Sequence, residues 1–458
     1  MPRKSSSNSS KPETKEVKAG AKEVKKIKLE TASYKGVRDF YPVEMFLEKC
    51  LFKGMRQTAE SFGYVEYGAS ILEPADLYKA KTGEEIVSEQ TYTFTDRGGR
   101  EVTLRPEMTP TVARMIAQKR RELSFPLRWY SIPNLFRYEQ PQRGRLREHF
   151  QFNVDIFGLD NERAEIEIVS MAYQLMKDFG AEDKDFEIRV SDRNLLNYFW
   201  DSLSIPASKR QALAKIIDKK SKVPKEVFDE AIKAETGKKA PAIIAALESG
   251  HSFVTAIGEE NVISKRLVSI VDGLSKLGVS NVVFTPTLVR GLDYYSGFVF
   301  EIFDTNPENT RSLFGGGRYD NLLEIFGSEP VPAVGFGAGD VTIVDFLRTH
   351  NLVPGYRSST FLYLAVLDGE YTFADIIAEK MRDHGISVAV DYTEKSVGDR
   401  IKKASNDKIP YFAVVGPSEA KEGKIKIKKL DDRTEKSVDI DEAGLAEFAK
   451  SIYKSLNS

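Results

Sequence analysis

The sequence predicts an α+β protein: an antiparallel sheet flanked by helices, a helical insertion, and a C-terminal α/β domain. Three observations predict it. Apolar, aromatic, strand-like segments cluster before residue 192 and again after residue 286. Between them, residues 193–285 are Lys-rich and helical in pattern. After Val353-Pro354-Gly355, strands and helices alternate to the end of the chain.

Composition bounds what such a protein can be. A chain of 458 residues has room for about two to four domains and several buried cores. The net charge of -1 advertises no global affinity for nucleic acid, although a local basic face can act beneath a neutral total. The single cysteine, Cys50, excludes an internal disulfide. The four histidines lack ligand spacing, so no protein-held metal is expected. No apolar run approaches the ~20 residues that span a bilayer. Residues 1–31 form a basic tail rich in Ser, Lys and Glu, expected to be disordered, either a solvated extension or an RNA-attracting arm. The tail lacks the apolar core of a secretion signal, so the expected location is cytoplasmic.

The first core segment, 32–192, opens with Val43, Leu47, Leu51, Met55, Ala59 and Phe62 at helical spacing, and Gly63 is placed to end that helix. YVEYGASIL (64–72) reads as a strand that stops at Pro74. TYTFTD and REVTLRP read as a hairpin turning at Arg97-Gly98-Gly99, and TPTVARMIAQKRR as a helix. LRWYSIPNLFRYE and HFQFNVDIFGL are apolar strands. The Arg-rich loop QPQRGRLRE between them is too polar for a core and suits a site. After the insertion (193–285), strand-like FTPTLVRGLDYYSGFVFEIFD opens a second core segment, 286–352, completed by SLFGGGRYDNLL, PAVGFGAGD and the helix VTIVDFLRTH. In 356–458, FLYLAVL, SVAVDY and YFAVVG are strands separated by helices, which implies a small, mostly parallel sheet. KIKIKKL and a closing helix, LAEFAKSIYKSL, follow.

The glycine clusters GGGRY (315–319) and GFGAGD (335–340) are weak signals alone: the first usually means close backbone packing, and the second lacks the lysine of a phosphate loop. Charged side chains inside aromatic strands say more. Arg105 and Glu107, Arg137 and Glu139, Gln151 and Asp155, and Arg290 and Asp293 beside Tyr294 and Tyr295 all stand in such segments. Singly, each suits an exposed strand face. Together they imply a sheet with one polar, functional face, because unpaired buried charge is costly. Residues 151, 153 and 155 share a face, as do 137 and 139. Arginines there suit a carboxylate or a phosphate.

At these residues the chain resembles the class II aminoacyl-tRNA synthetases, and within them the histidyl branch. The likeness runs from about Tyr34 to the C-terminus. GVRDFYP (36–42) resembles the family's start, and GYVEYGASILEP its first motif, which builds the dimer interface. FRYEQPQRGRLREHFQF resembles the second motif and PAVGFGAGD the third. RGLDYY followed by GGGRYD resembles the two histidine signatures. The resemblance implies a homodimeric ligase that joins L-histidine to tRNA(His) with ATP and Mg²⁺, on a class II catalytic core with a C-terminal anticodon-binding domain.

The same resemblance implies roles. Arg137 and Arg290 would be catalytic, flanking the α-phosphate of ATP. Glu139, His149, Phe150, Gly337 and Gly339 would complete the ATP site, with His149 or Phe150 stacking on adenine. Glu107, Thr109 and Gln151 would hold the substrate's α-amino group, while Asp155 and Tyr295 read the imidazole. Arg290, Tyr294, Gly316 and Tyr319 would complete the histidine pocket, floored by Gly315 to Gly317. Gln140, Gln142, Arg143, Arg145 and Arg147 would approach the tRNA acceptor end. The chemistry agrees: the attacking carboxylate is already ionised, so catalysis reduces to positioning and to neutralising phosphate charge.

One departure stands out. The third motif usually carries an arginine for the γ-phosphate, where this chain has Thr342, and Arg318 and Arg348 are the candidates to replace it. Such a lesion also marks catalytically silent regulatory paralogues that bind histidine or RNA, the alternative to the ligase.

Overall fold

A computed structural model describes residues 29–79, 90–220, 223–248, 253, 261–288 and 294–456. Most of the expected disordered tail, together with Arg290 and Asp293, lies outside the described residues. No helix among those described is long and apolar enough to cross a membrane.

Helix α1 (Pro42–Ser61) starts at a proline, whose missing N–H is no loss in a first turn, and buries Leu51, Met55 and Ala59. It is followed by β1 (Val65–Glu66), β2 (Leu72–Pro74), α2 (Asp76–Lys79), β3 (Tyr92–Thr95), β4 (Glu101–Leu104) and α3 (Thr109–Lys119). Then come β5 (Leu127–Ser131), β6 (Asn134–Phe136), β7 (Glu148–Phe157), α4 (Glu162–Asp178) and β8 (Phe186–Asp192). The helical insertion contributes α5 (Arg193–Ser202), α6 (Ala207–Asp218), α7 (Lys225–Thr236), α8 (Ala240–Glu248) and α9 (Val262–Lys276). The core resumes with β9 (Val282–Phe284), β10 (Phe298–Asp304), β11 (Ser312–Arg318), β12 (Ala333–Gly339) and α10 (Asp340–Thr349).

One sheet organises the core, in the order β1-β5-β7-β12-β11-β10-β8-β9, with β6 paired to β7. The six central strands are antiparallel, and the two outermost pairings, β1 with β5 and β8 with β9, are parallel. Helices α1 and α4 cover one face. Phe152, Val154 and Ile156 of β7 and Ile168, Ala172 and Leu175 of α4 belong to the same core and are at most 1% exposed. Burying one such large side chain stabilises by about 1.5–3 kcal/mol. The opposite face carries the polar residues Gln151, Asn153 and Asp155 beside a second apolar cluster that includes Leu127, Phe157, Val299 and Ala333.

Three strand expectations need correction. LRWYSIPNLFRYE forms two strands, β5 and β6, parted at Ile132-Pro133, and Arg137 and Glu139 lie beyond the end of β6 rather than on one strand face. YVEYGASIL is not one strand: β1 and β2 belong to different sheets, and the buried guanidinium of Arg105 pins the link between them by donating to the carbonyls of Ala69 (2.8 Å) and Asn134 (3.1 Å). FTPTLVRGLDYYSGFVFEIFD does not read as one strand: its first residue ends β9, Pro286 removes a ladder donor just after it, and among the described residues strand structure resumes at Phe298.

The C-terminal domain comprises β13 (Leu362–Val366), α11 (Tyr371–Asp383), β14 (Val388–Asp391), α12 (Val397–Asn406), β15 (Tyr411–Val415), α13 (Pro417–Glu422), β16 (Lys424–Lys429), β17 (Glu435–Asp439) and α14 (Glu442–Leu456). Its sheet order is β14-β13-β15-β16-β17. The first three strands are parallel, as strand–helix alternation predicts. The antiparallel edge of β16 and β17 makes the sheet mixed: KIKIKKL buries Ile425 and Ile427 and returns directly as a hairpin.

Candidate active site

Strand β7 provides the long wall of the site. Period-two alternation that sends Phe152, Val154 and Ile156 into the core turns Gln151, Asn153 and Asp155 to the polar face. Strand β12 runs beside it in the register Gly335–Asp155, Gly337–Asn153, Gly339–Gln151. Space demands these glycines. A Cβ at 335 would lie 2.2 Å from Asp155 Oδ1, and one at 337 would lie 2.8 Å from Gln151 Nε2. Strand β11 continues the pattern, with Gly315 opposite Gly337 and Gly317 opposite Gly335. The floor is therefore bare backbone.

Over this floor Glu107, Thr109, Arg137, Tyr294, Tyr295 and Tyr319 close a cavity of about 170 Å³. Pockets for drug-sized ligands start near 300 Å³, so this one suits a group the size of an amino acid. At its closed end the Tyr319 hydroxyl donates to Asp155. Burial pushes the Asp155 carboxyl up to about 7, partly opposed by that hydrogen bond, and lifts the Tyr319 phenol well above its ordinary range. Elsewhere on the wall, the Tyr294 hydroxyl lies 3.3 Å from Glu107 Oε2 and 3.5 Å from Thr109 Oγ1. Arg137 is oriented by its Nε, which donates to the Pro106 carbonyl at 2.8 Å. Its two Nη groups make no hydrogen bond among the described residues.

His149 and Phe150 part company. Phe150 belongs to the core side of β7, its ring packed edge-on against Phe52 (5.1 Å) and Phe40 (6.3 Å). Its expected place in the ATP site is therefore corrected: strand alternation leaves His149 as the ring on the side of Gln151. His149 is held neutral, its pKa pushed down to about 3 by burial and by the nearby Arg137 and Arg38.

Gly316 is corrected likewise. Its neighbours Gly315 and Gly317 lie on the polar side, whereas a Cβ at 316 would meet Phe336 at 2.6 Å on the other.

The 139–147 loop is a tight hairpin. Gln142 and Arg145 exchange backbone hydrogen bonds around Gly144, whose φ of +75° favours glycine. Gln140, Gln142, Arg143 and Arg145 are exposed, and Arg145 lies 3.6 Å from Glu139. Arg147 is not part of that exposed set. It is buried, stacked 4.0 Å from the Tyr138 ring, and donates to the Glu139 carbonyl and the Tyr34 hydroxyl. It anchors the loop to the 34–36 segment, which corrects its expected approach to tRNA.

At the end of β12 the Thr342 hydroxyl is engaged by the carbonyls of Leu313 (2.6 Å) and Gly339 (3.1 Å). Arg318 is no substitute for an arginine there, because it is buried in a two-pronged ion pair with Glu165 (2.6 and 2.9 Å). Arg348 sits six residues further along α10, a rise of roughly 9 Å, so it too falls away. Arg311 instead reaches this edge: exposed, two residues before Leu313, it donates to Gln142 Oε1 at 3.0 Å. Arg38 pairs with the buried Asp340 at 2.6 Å, and Asp340 also accepts the Phe150 N–H.

Reading the sequence alone puts position 153 on the face of Gln151 and Asp155 without giving Asn153 a role, and it misses Gly335, Arg38 and Arg311. Those three depend on contacts across more than a hundred residues.

A family model described as histidyl-tRNA synthetase matches residues 36–341, and one described as anticodon binding domain matches 363–450. A histidine–tRNA ligase of Leptospira biflexa is 42% identical over 428 residues, covering 92% of this chain and 98% of its own length. One of Haloarcula marismortui is 37% identical, covering 89% and 95%. Among solved structures, a histidyl-tRNA synthetase from Nostoc sp. PCC 7120 shares the fold with a TM-score of 0.79 at 21% identity, over 93% of this chain and all of that one.

Proposed function

The chain belongs to the histidyl-tRNA synthetase family, and from that premise we propose how its site performs the reaction. The activity is that of a histidine–tRNA ligase: histidine and ATP give histidyl-adenylate and pyrophosphate, and the histidyl group then passes to a hydroxyl at the 3′ end of tRNA as AMP leaves.

Histidine enters with its imidazole at the Asp155–Tyr319 end. The ionised Asp155 carboxylate accepts one ring N–H, and the Tyr295 hydroxyl serves the other nitrogen. Glu107, Thr109 and Gln151 hold the α-amino group. Arg137 receives the carboxylate beside the α-phosphate and neutralises charge there as it develops. ATP arrives as its magnesium complex, a substrate, with adenine stacked on His149 and directed by Glu139. Arg311 covers the outer phosphates in the place left by Thr342, and Arg290 is the second cation at the α-phosphate.

Exposed Gln140, Gln142, Arg143 and Arg145 meet the acceptor end, and the 363–450 domain reads the anticodon. A second copy of the chain covers the exposed apolar side chains Val65, Leu72 and Phe94, giving a homodimer. The cytoplasm is its compartment.

The observation that carries this reading is one amino-acid-sized cavity lined by two buried carboxylates, Asp155 and Glu107, and by the Arg137 guanidinium. A silent regulator is the weaker reading, because the relatives matched over nearly their whole length are ligases by name. Histidine-dependent pyrophosphate–ATP exchange tests it. Folded protein that exchanges with no amino acid would overturn it, and exchange with a different one would move the substrate assignment.

A further inference from the structure

We propose that Arg193 and Asn194, the first two residues of the helical insertion, are positioning residues for histidine selection. The proposal rests on the reading of the cavity given above. The chain leaves the catalytic sheet after Asp192 and, past the short edge strand β9, returns on the other side of β8 at Phe298, which pairs with Asp192 across β8 and β10. The residues just before that return, 294–297, include Tyr294 and Tyr295 of the cavity wall.

This return segment lies outside the β10 ladder, so its carbonyls need other donors. Two successive residues supply them for three successive carbonyls. Arg193 Nη1 donates to the Tyr295 carbonyl at 2.8 Å, Asn194 Nδ2 to that of Ser296 at 3.0 Å, and the Arg193 backbone N–H to that of Gly297 at 3.1 Å. Asp192 fixes this pair in turn, its Oδ1 accepting the Asn194 N–H at 2.8 Å as the cap of α5. From the far side, the Ser296 N–H donates to the Arg318 carbonyl at 2.8 Å, and the Ser296 hydroxyl lies 3.0 Å from Asp320. The backbone is gripped on both sides, and that grip sets the directions of the two tyrosine side chains. Neither Arg193 nor Asn194 lines the cavity. They act through Tyr294 and Tyr295.

A simple structural brace and a positioning pair differ in what they alter. A brace sets stability. A positioning pair sets where the tyrosines stand, and a displacement of about 1 Å at a recognition group can cost up to ~10²-fold. The test is pyrophosphate–ATP exchange with the full-length protein, alongside thermal unfolding. Wild-type exchange with histidine first establishes the functional reading independently. Given that, Arg193→Met should raise the histidine KM on the order of tenfold while the ATP KM stays unchanged. Arg193→Lys should restore part of it, because an ammonium can still donate once to the carbonyl. Asn194→Ala, which removes one neutral donor, should move the same constant less, and it keeps the test open if Arg193→Met does not fold. Histidine and ATP constants that rise together, or a lowered melting temperature with both constants intact, would overturn the proposal.

Discussion

Tyr319 donates its hydroxyl hydrogen to Asp155, tying the centre of one strand to the residue that follows another and closing the deep end of the cavity with a carboxylate–phenol pair. The pair occupies one carboxylate lone pair and leaves others for an incoming ring N–H.

Asp155→Asn should therefore lower kcat/KM for histidine by about two orders of magnitude or more, since a site built to accept a hydrogen bond loses most when its acceptor becomes a donor. Exchange kinetics at varied histidine would show it, with the ATP KM little changed. A fall in ATP affinity instead would place Asp155 elsewhere in the mechanism.

The same residue gives a pH signature. With its pKa raised to about 7 in the folded protein, Asp155 keeps its proton there after the unfolded chain has lost it. The folded state then binds more protons than the unfolded one, so this group's contribution to stability is full below about pH 4 and is lost as pH rises to about 7. Histidine binding should change in the opposite sense, improving as the carboxyl ionises. Urea midpoints of wild type and Asp155→Asn across that window would differ in slope, and parallel curves would count against the raised pKa.

Gly335→Ala tests the floor. Its Cβ would lie 2.2 Å from Asp155 Oδ1 and 2.5 Å from the Val154 carbonyl, and the second of these is backbone that cannot swing aside. Overpacking of this kind costs about 1–3 kcal/mol and should also displace Asp155. The expected result is a lower melting temperature together with a higher histidine KM.

Arg311→Ala should raise the ATP KM about tenfold, the low end of what a hydrogen bond to a charged group is worth, and leave the histidine KM alone. Arg348→Ala serves as the control and should change neither. If Arg311→Ala behaves like that control, the outer phosphates are held by another group.

Glu165→Ala should destabilise by about 3 kcal/mol, the low end for breaking a buried pair, because Arg318, whose side chain is only 4% exposed, loses its bidentate partner and keeps the half-buried Asp320 at 3.1 Å, while Arg266 loses Glu165 as well. Thermal unfolding reads this directly. A small change would mean that water reaches Arg318 once the carboxylate is gone.

Much of this architecture was legible in the chain because local rules decide it. The α1 stripe, the hairpin at Arg97-Gly98-Gly99 and the alternation along β7 all follow from side-chain periodicity, which needs no partner. The roles expected of Arg137, Asp155 and Tyr319 came instead from the family resemblance of the motifs around them, not from periodicity. Long-range contacts decided the remainder. Arg147 and Arg318 look like free cations in sequence, yet Tyr34 and Glu165, both over a hundred residues away, engage them. Phe150 and Gly316 differ from their neighbours only by strand parity, which motif likeness does not weigh.

The bare floor made by Gly315, Gly317, Gly335 and Gly337 has one more consequence. A cavity whose base carries no side chains offers no gradual way to be re-cut for a larger or smaller substrate from below. At Gly335 and Gly337 even one added methyl group collides with Asp155 or Gln151, the side chains proposed to recognise the ligand. Any drift in selectivity must come through the walls, above all the tyrosines.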